Sequence, residues 1–363
     1  MIFIFGISGL IEVMDLEKCG NTTVNIGAVA NLGDSVLSGY GARGSISWPF
    51  FNLMNFIEDR GSTAITGGDN DMTSLFKMVH HFNSDALGAS YKSHFLHVCS
   101  GKWLCFWPFN SYRESDGLNM AATGAFASDL MSQAEELVRR FHLLYNTDPH
   151  LIKKWKLVVL WIGLNDQCRY CDRTQSEIDN FEKYVTKTLN YLRLKLEYVI
   201  VDIISLWNID KLVDLSSQHP SCQSSLRQVF FKKHCTCAFG KKAINYRKGM
   251  RDFQKQQNRV LQSISKSYKD GSQWINQTMY TATHSTFKVL YDPSSENMDL
   301  QEYNWSIVTP TDCSHPTKET HERLASVFWR NLFLKSKDKL TSQNWAFERP
   351  YMRFTCPSAI QFD

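Results

Sequence analysis

A concentrated basic arm is missing from this sequence, and no sign of charge dominates. Lys and Arg number 40 against 36 Asp and Glu, a formal net charge of +4 over 363 residues. Nucleic-acid binding needs a basic patch to neutralise phosphates, so that balance argues against it. No internal run approaches the roughly 18 uninterrupted apolar residues of a membrane span. The opening MIFIFGISGLIEVM is apolar, yet it has no basic residue ahead of its hydrophobic part and Glu12 interrupts it. Residues 1–20 therefore read as an atypical or truncated signal segment. Internal repeats and low-complexity linkers are absent too. Metal-binding patterns are thin: His80 and His81 read as surface or core histidines, and the loop of Asp69 and Asp71 lacks the further ligands of a calcium site.

What is present suits a protein with a sizeable core, at 43% hydrophobic and 21% charged residues. Ten cysteines are unevenly spaced, with Cys168 and Cys171 as C-x-x-C, Cys235 and Cys237 as C-x-C, and Cys19 and Cys356 near the ends. The two close pairs have the spacing of zinc ligands, but structural disulfides in an oxidising compartment are the favoured reading. Sequons at Asn21, Asn276 and Asn304 fit the same secreted or lumenal setting.

Short runs rich in Val, Ile and Leu predict buried strands at Val24–Gly33, Lys156–Gly163 and Tyr198–Ser205, with a weaker one at Gly117–Gly124. Helical periodicity falls between them. In Ser128–Tyr145, Leu130, Ala134, Leu137, Val138 and Phe141 share a face and Ser128 is a candidate N-cap. Ser176–Leu196 and Lys318–Phe333 behave likewise, and the apolar spacing of Ser47–Gly61 predicts a packed helix. The basic stretch from Arg227 to Arg259 reads as a solvated helix face. Alternating strands and helices imply an α/β fold with a mainly parallel sheet, and residues 21–363 read as a single domain. An aromatic-rich insertion around residues 91–115 is either a membrane-contacting loop or a gene-model artefact such as a retained intron.

Ligands in such sheets bind beyond the carboxyl ends of the strands, so the residues after each run are the ones to compare. Gly33, Asp34 and Ser35 follow the first, Gly124 the weak one, and Gly163–Leu164–Asn165–Asp166 the next. Near the C-terminus Asp312 and His315 stand three apart ahead of a helix, where Pro316 suits its first turn. Taken singly, each is an ordinary turn, packing or capping residue. Taken together they supply a nucleophile (Ser35), a base (His315) and a group to orient it (Asp312). The Ser35 and Gly124 N–H groups and the Asn165 amide are then donors for an oxyanion. Asp34 reads as a turn-stabilising neighbour.

These blocks resemble those of the SGNH, or GDSL-type, hydrolase family. The narrower pattern of GGDND, FNSDALGAS, GLNMAATGA, WKLVVLWIGLNDQCRYC, CTC, TDCSHPT and FTCPS is similar to its phospholipase B-like branch. The resemblance implies a flavodoxin-like three-layer α/β/α sandwich and hydrolysis of acyl esters of phospholipids or lysophospholipids. It implies Ser35, Asp312 and His315 as catalytic residues, Ser35, Gly124 and Asn165 as the oxyanion hole, and no metal or organic cofactor. The expected state is a monomer that contacts membrane surfaces transiently. The alternatives are an esterase for acetylated sugars or small esters, and a catalytically silent lipid-binding protein.

Overall fold

Three of the apolar runs become strands buried along nearly their whole length. These are β1 (Ile26–Gly33), β4 (Trp155–Trp161) and β5 (Val199–Ile204). A continuous Val/Ile/Leu run, rather than an alternating one, is what a parallel strand covered on both faces requires. The computed structural model describes residues 25–44, 57–96, 112–169, 175–218, 235–238, 243–269, 286–296, 305–339 and 341. Among these, β1, β4, β5 and β6 (Phe287–Asp292) form a parallel sheet in the order β1-β4-β5-β6. The short strands β2 (Ile57–Glu58) and β3 (His94–Phe95) pair antiparallel apart from it.

Helices cover both faces. α3 (Leu130–Thr147), α5 (Gln175–Lys195) and α7 (Ala243–Lys269) lie side by side, with α3 against β1 and α7 against β6. α2 (Leu75–Phe82) and α8 (Lys318–Leu332) form the other layer, where Phe82 stacks on Trp329 at 5.9 Å. Shorter helices α1 (Ser35–Ser38), α4 (Leu164–Arg169) and α6 (Ile209–Gln218) follow β1, β4 and β5. The result is the expected α/β/α sandwich.

The far edge of β1 is covered by backbone that is not regular strand. Leu87 N–H donates to Gly27 O, and Val29 N–H to Leu87 O. Further along, Asn31 N–H donates to Leu118 O, Met120 N–H to Asn31 O and Ala122 N–H to Gly33 O. The predicted strand at Gly117–Gly124 therefore runs beside β1 in parallel sense, but with only the Asn31–Asn119 bridge as formal pairing. At the tip, the Gln133 side chain clasps Gly33 at both ends. Its Oε1 accepts the Gly33 N–H and its Nε2 donates to the Gly33 carbonyl, each at 2.8 Å. A Cβ at Gly33 would stand 2.4 Å from the Trp161 carbonyl oxygen, so glycine lets the strand ends close.

Several local expectations are corrected. A 3-10 turn at Ala127–Asp129 precedes α3, and Asp129 rather than Ser128 flanks its first turn, accepting the Phe126 N–H. Pro316 stands before the N-cap of α8, which is Thr317. The described part of Ser47–Gly61 is β2 followed by a 3-10 turn beginning at Arg60, not a helix. Residues 45–56, residues 1–20, most of the 91–115 insertion, the three sequons and the FTCPS stretch lie outside the described residues. Lys248, Lys255 and Arg259 of α7 are exposed, as a solvated face requires.

The zinc reading of the cysteine pairs is overturned. Cys168 of α4 and Cys235 form a disulfide across 67 positions, taking one thiol from each pair. Exchanging both for alanine should lower the free energy of unfolding in urea by about 2–4 kcal/mol. An unchanged transition would contradict that role.

Candidate active site

Asp34 follows β1 in extended backbone and caps α1, its Oδ1 accepting the Val36 N–H at 3.0 Å. Ser35 is thus the first residue of a one-turn helix, where its N–H has no carbonyl of its own to meet. Gly39 closes that turn with φ +76°, a left-handed conformation that glycine adopts without strain. This strand-turn-helix presents the Ser35 hydroxyl at the carboxyl end of the sheet.

The loop ahead of α8 comes to the same place. Val308 bridges Pro316, and Thr309 N–H donates to the His315 carbonyl at 2.7 Å, closing the loop on itself. Inside it the Asp312 Oδ1 accepts the N–H groups of Ser314 (3.0 Å) and His315 (3.1 Å). Its Oδ2 accepts the Ser314 hydroxyl at 2.7 Å and lies 2.5 Å from His315 Nδ1. The other ring nitrogen, Nε2, lies 2.5 Å from Ser35 Oγ. With a carboxylate at Nδ1, that nitrogen carries the proton, and Nε2 is left to accept from the serine. Tyr40 packs edge-on to the imidazole at 4.8 Å. Asp312, not Asp34, faces Nδ1.

Electrostatics follow from burial and these partners. Partial burial opposes charge on His315, but Asp312, by its charge and hydrogen bond, and then Asp34 outweigh it, and the imidazole sits above its ordinary value. Burial pushes Asp312 upward, while His315 and Ser314 pull harder the other way, leaving it below the usual carboxylate range. For Asp34 burial wins over the Val36 N–H, His315 and Leu164, and its pKa is pushed up to about 6. His321, buried in α8 near His315, goes the opposite way. Burial and then the His315 charge drive it down to about 3.

Gly124 stands in a turn closed by Ala125 N–H donating to Ala122 O at 3.1 Å, with φ +81°. Asn165 lies in the first turn of α4 and donates from Nδ2 to the Ala125 carbonyl at 2.9 Å, so its amide is anchored on that same turn. A carboxamide has two N–H bonds, and the second remains. Neither the Ser35 nor the Gly124 N–H meets a protein acceptor among the described residues. Leu164 and Asp166 sit next to Asp34, and Asp166 also accepts the Ala127 N–H at 3.2 Å.

All five sequence-predicted site residues therefore lie on loops or first helical turns at one end of the sheet, and hydrogen bonds join Ser35, His315 and Asp312 in series. Sequence reading missed Gln133, which holds the end of β1, and the buried pair Glu58 and Arg60. Gln133 falls on the apolar face of α3 between Leu130 and Leu137, whereas Glu58 and Arg60 stand in the polar run EDRGST and carry no such signal. Asp69 and Asp71 hold no calcium-like arrangement; both face the Arg43 guanidinium, at 2.9 and 2.6 Å.

The GDSL-like Lipase/Acylhydrolase family matches residues 29–328. The chain is similar to membrane-associated phospholipase B1 of Homo sapiens, 26% identical over 343 residues, covering 92% of this chain and 20% of that protein. The Rattus norvegicus protein of the same name is 26% identical over 339 residues, covering 92% of this chain and 21% of its own. The chain thus spans about one-fifth of the length of the curated relatives it matches.

Imidazole titration by NMR should show His315 gaining its proton above the ordinary value of 6.5 as the pH falls. Asp312→Asn removes the partner that favours the cation, so the midpoint should drop. His321 should stay neutral down to about pH 3. A wild-type His315 midpoint below 6.5 would contradict the assigned pairing.

Proposed function

Because the chain belongs to the GDSL-like lipase/acylhydrolase family, we propose that it hydrolyses carboxylic esters of phospholipids or lysophospholipids through an acyl-enzyme on Ser35. The observation that carries the reading is the series Asp312 Oδ2, His315 Nδ1, His315 Nε2, Ser35 Oγ, with both gaps at 2.5 Å.

The proposed chemistry follows from that order. Ser35 Oγ attacks the ester carbonyl carbon as its proton moves to His315 Nε2. Asp312 fixes the imidazole by its Nδ1–H and stabilises the cation that forms. The carbonyl oxygen gains negative charge and is met by the N–H groups of Ser35 and Gly124 and the free amide N–H of Asn165. Such donors are each worth about 3–4 kcal/mol in related acyl transfers. Collapse expels the alcohol, which takes the proton from His315. Water then enters, gives its proton to His315 and attacks the acyl carbon, releasing the fatty acid and restoring Ser35. No step calls on a metal or organic cofactor.

A lipid substrate is supported by the family and by the similarity to phospholipase B1. Among the described residues no helix is long and apolar enough to cross a membrane. The Cys168–Cys235 disulfide supports an oxidising, secreted or lumenal setting.

Ser35→Ala should leave the fold intact and reduce ester turnover by at least about a thousandfold. Wild-type protein should release fatty acid from long-chain lysophosphatidylcholine with higher kcat/KM than acetate from a short soluble ester. Activity surviving in Ser35→Ala would remove the nucleophile assignment. A preference for the short ester would point to the small-ester alternative.

A further inference from the structure

The segment from Leu118 to Thr123 behaves like an edge strand whose outer neighbour has been replaced by two side chains. Its even-numbered residues face β1: the Leu118 carbonyl accepts from Asn31, and the Met120 and Ala122 N–H groups donate to Asn31 and Gly33. Its odd-numbered residues turn their backbone groups the other way, the period of two of an extended chain. In a regular sheet another strand would satisfy them. Here Arg60 Nη1 donates to the Asn119 carbonyl at 2.9 Å and Nη2 to the Ala121 carbonyl at 2.8 Å. Next in line, the Thr123 N–H donates to Glu58 Oε1 at 3.1 Å.

Arg60 and Glu58 are themselves an ion pair with both side chains wholly buried. Glu58 Oε2 lies 3.0 Å from Arg60 Nε and 2.7 Å from Nη2. Asp116 adds a second carboxylate 3.7 Å from Nε. A buried ion pair contributes little net stability, because desolvation of the two charges offsets their attraction. It does fix direction: the planar guanidinium presents its N–H groups in one fork, and the opposing carboxylate holds that fork still.

The last contact of this device lies one residue from Gly124. Glu58 Oε1 also accepts the Thr123 hydroxyl at 2.7 Å, and that hydroxyl meets Ser38 Oγ at 3.0 Å. Ser38 Oγ in turn donates to the Ser35 carbonyl at 3.2 Å. The turn carrying Gly124 is therefore held at its entry by Glu58 and at its exit by Asn165 on the Ala125 carbonyl. Glu58 fixes the Ala122–Thr123 peptide and the Thr123 side chain, and the Ala125 N–H on the Ala122 carbonyl closes the turn. The Thr123–Gly124 peptide that carries the Gly124 N–H is thus confined between two anchored points.

We propose that the buried Glu58–Arg60 pair, acting through Thr123, is a positioning device that sets the direction of the Gly124 N–H towards the substrate oxyanion. This rests on the reading of Ser35 as nucleophile. Transition-state donors must already be aimed before charge develops, since reorganisation at that moment raises the barrier. The device should therefore act on kcat rather than on ground-state binding.

Thr123→Val removes the hydroxyl contacts and keeps the shape, and Thr123→Ser keeps the hydroxyl. With p-nitrophenyl butyrate, the valine variant should lose about tenfold in kcat with KM within about twofold, and the serine variant should be restored to near wild type. The acid limb of kcat/KM should not move, because His315 and Asp312 are untouched. Glu58→Asp keeps the charge opposite Arg60 and withdraws the carboxylate from Thr123, so it should show the same loss and reports the geometry should the valine variant misfold. Wild-type kcat in Thr123→Val or in Glu58→Asp, a loss that the serine variant does not rescue, or a shifted acid limb would overturn the proposal. Ser35→Ala assayed beside them separates the two readings. Turnover in that variant overturns the nucleophile assignment, whereas an inert Ser35→Ala with a wild-type Thr123→Val overturns only the positioning role.

Discussion

The C-terminal end of β1 is held from every side by hydrogen bonds, and the geometry of the site depends on that restraint. Gly33 pairs in register with Trp161 of β4, and its own peptide is clasped by Gln133 from α3. On the other edge its carbonyl accepts from Ala122. Each of these contacts is buried, where an unmade hydrogen bond costs about 1–3 kcal/mol. The strand end consequently has one available position. Ser35 follows two residues later, and the Gly124 turn is tied to the same carbonyl through Ala122. The proposed nucleophile and the proposed oxyanion donor are thus registered against one peptide group rather than against each other.

The second restraint is electrostatic. His315 lies two residues ahead of the cap of α8, where the exposed N–H groups of a helix disfavour a cation. Asp312 answers that field at contact distance, and Asp34 adds to it from the capping position of α1. The Asp312 carboxylate, hydrogen-bonded at Nδ1, also keeps the ring in one tautomer. His321 lies in the same surroundings without a carboxylate at hand, and burial leaves it neutral. Two histidines six positions apart are therefore shifted in opposite directions, and the hydrogen-bonded Asp312 makes the largest contribution that raises His315.

Much of this was legible in the sequence, for a physical reason. Strands β1, β4 and β5 are buried on both faces, so they are continuous apolar runs that no polar periodicity obscures. The residues after them are short loops at strand ends, where few residues separate the motif from the element that positions it. What was illegible depends on distant chain. β6 is half-exposed at Lys288 and Tyr291 and shows no such run. The 118–123 segment reads as a weak strand because part of its pairing comes from Arg60 and Glu58, about sixty positions away. Ser128 looks like a cap, yet the 3-10 turn ahead of α3 shifts the helix start to the next residue. The choice between zinc and disulfide could not be made from spacing, since both demand cysteines that meet in space.

The central claim is that Ser35 is an activated nucleophile, and covalent labelling tests it most directly. Folded wild-type protein treated with a fluorophosphonate, then digested and analysed by mass spectrometry, should carry one phosphonyl group on the peptide containing Ser35. Asp312→Asn should label far more slowly under the same conditions. An unmodified Ser35 in folded protein, or an adduct confined to another residue, would contradict the account.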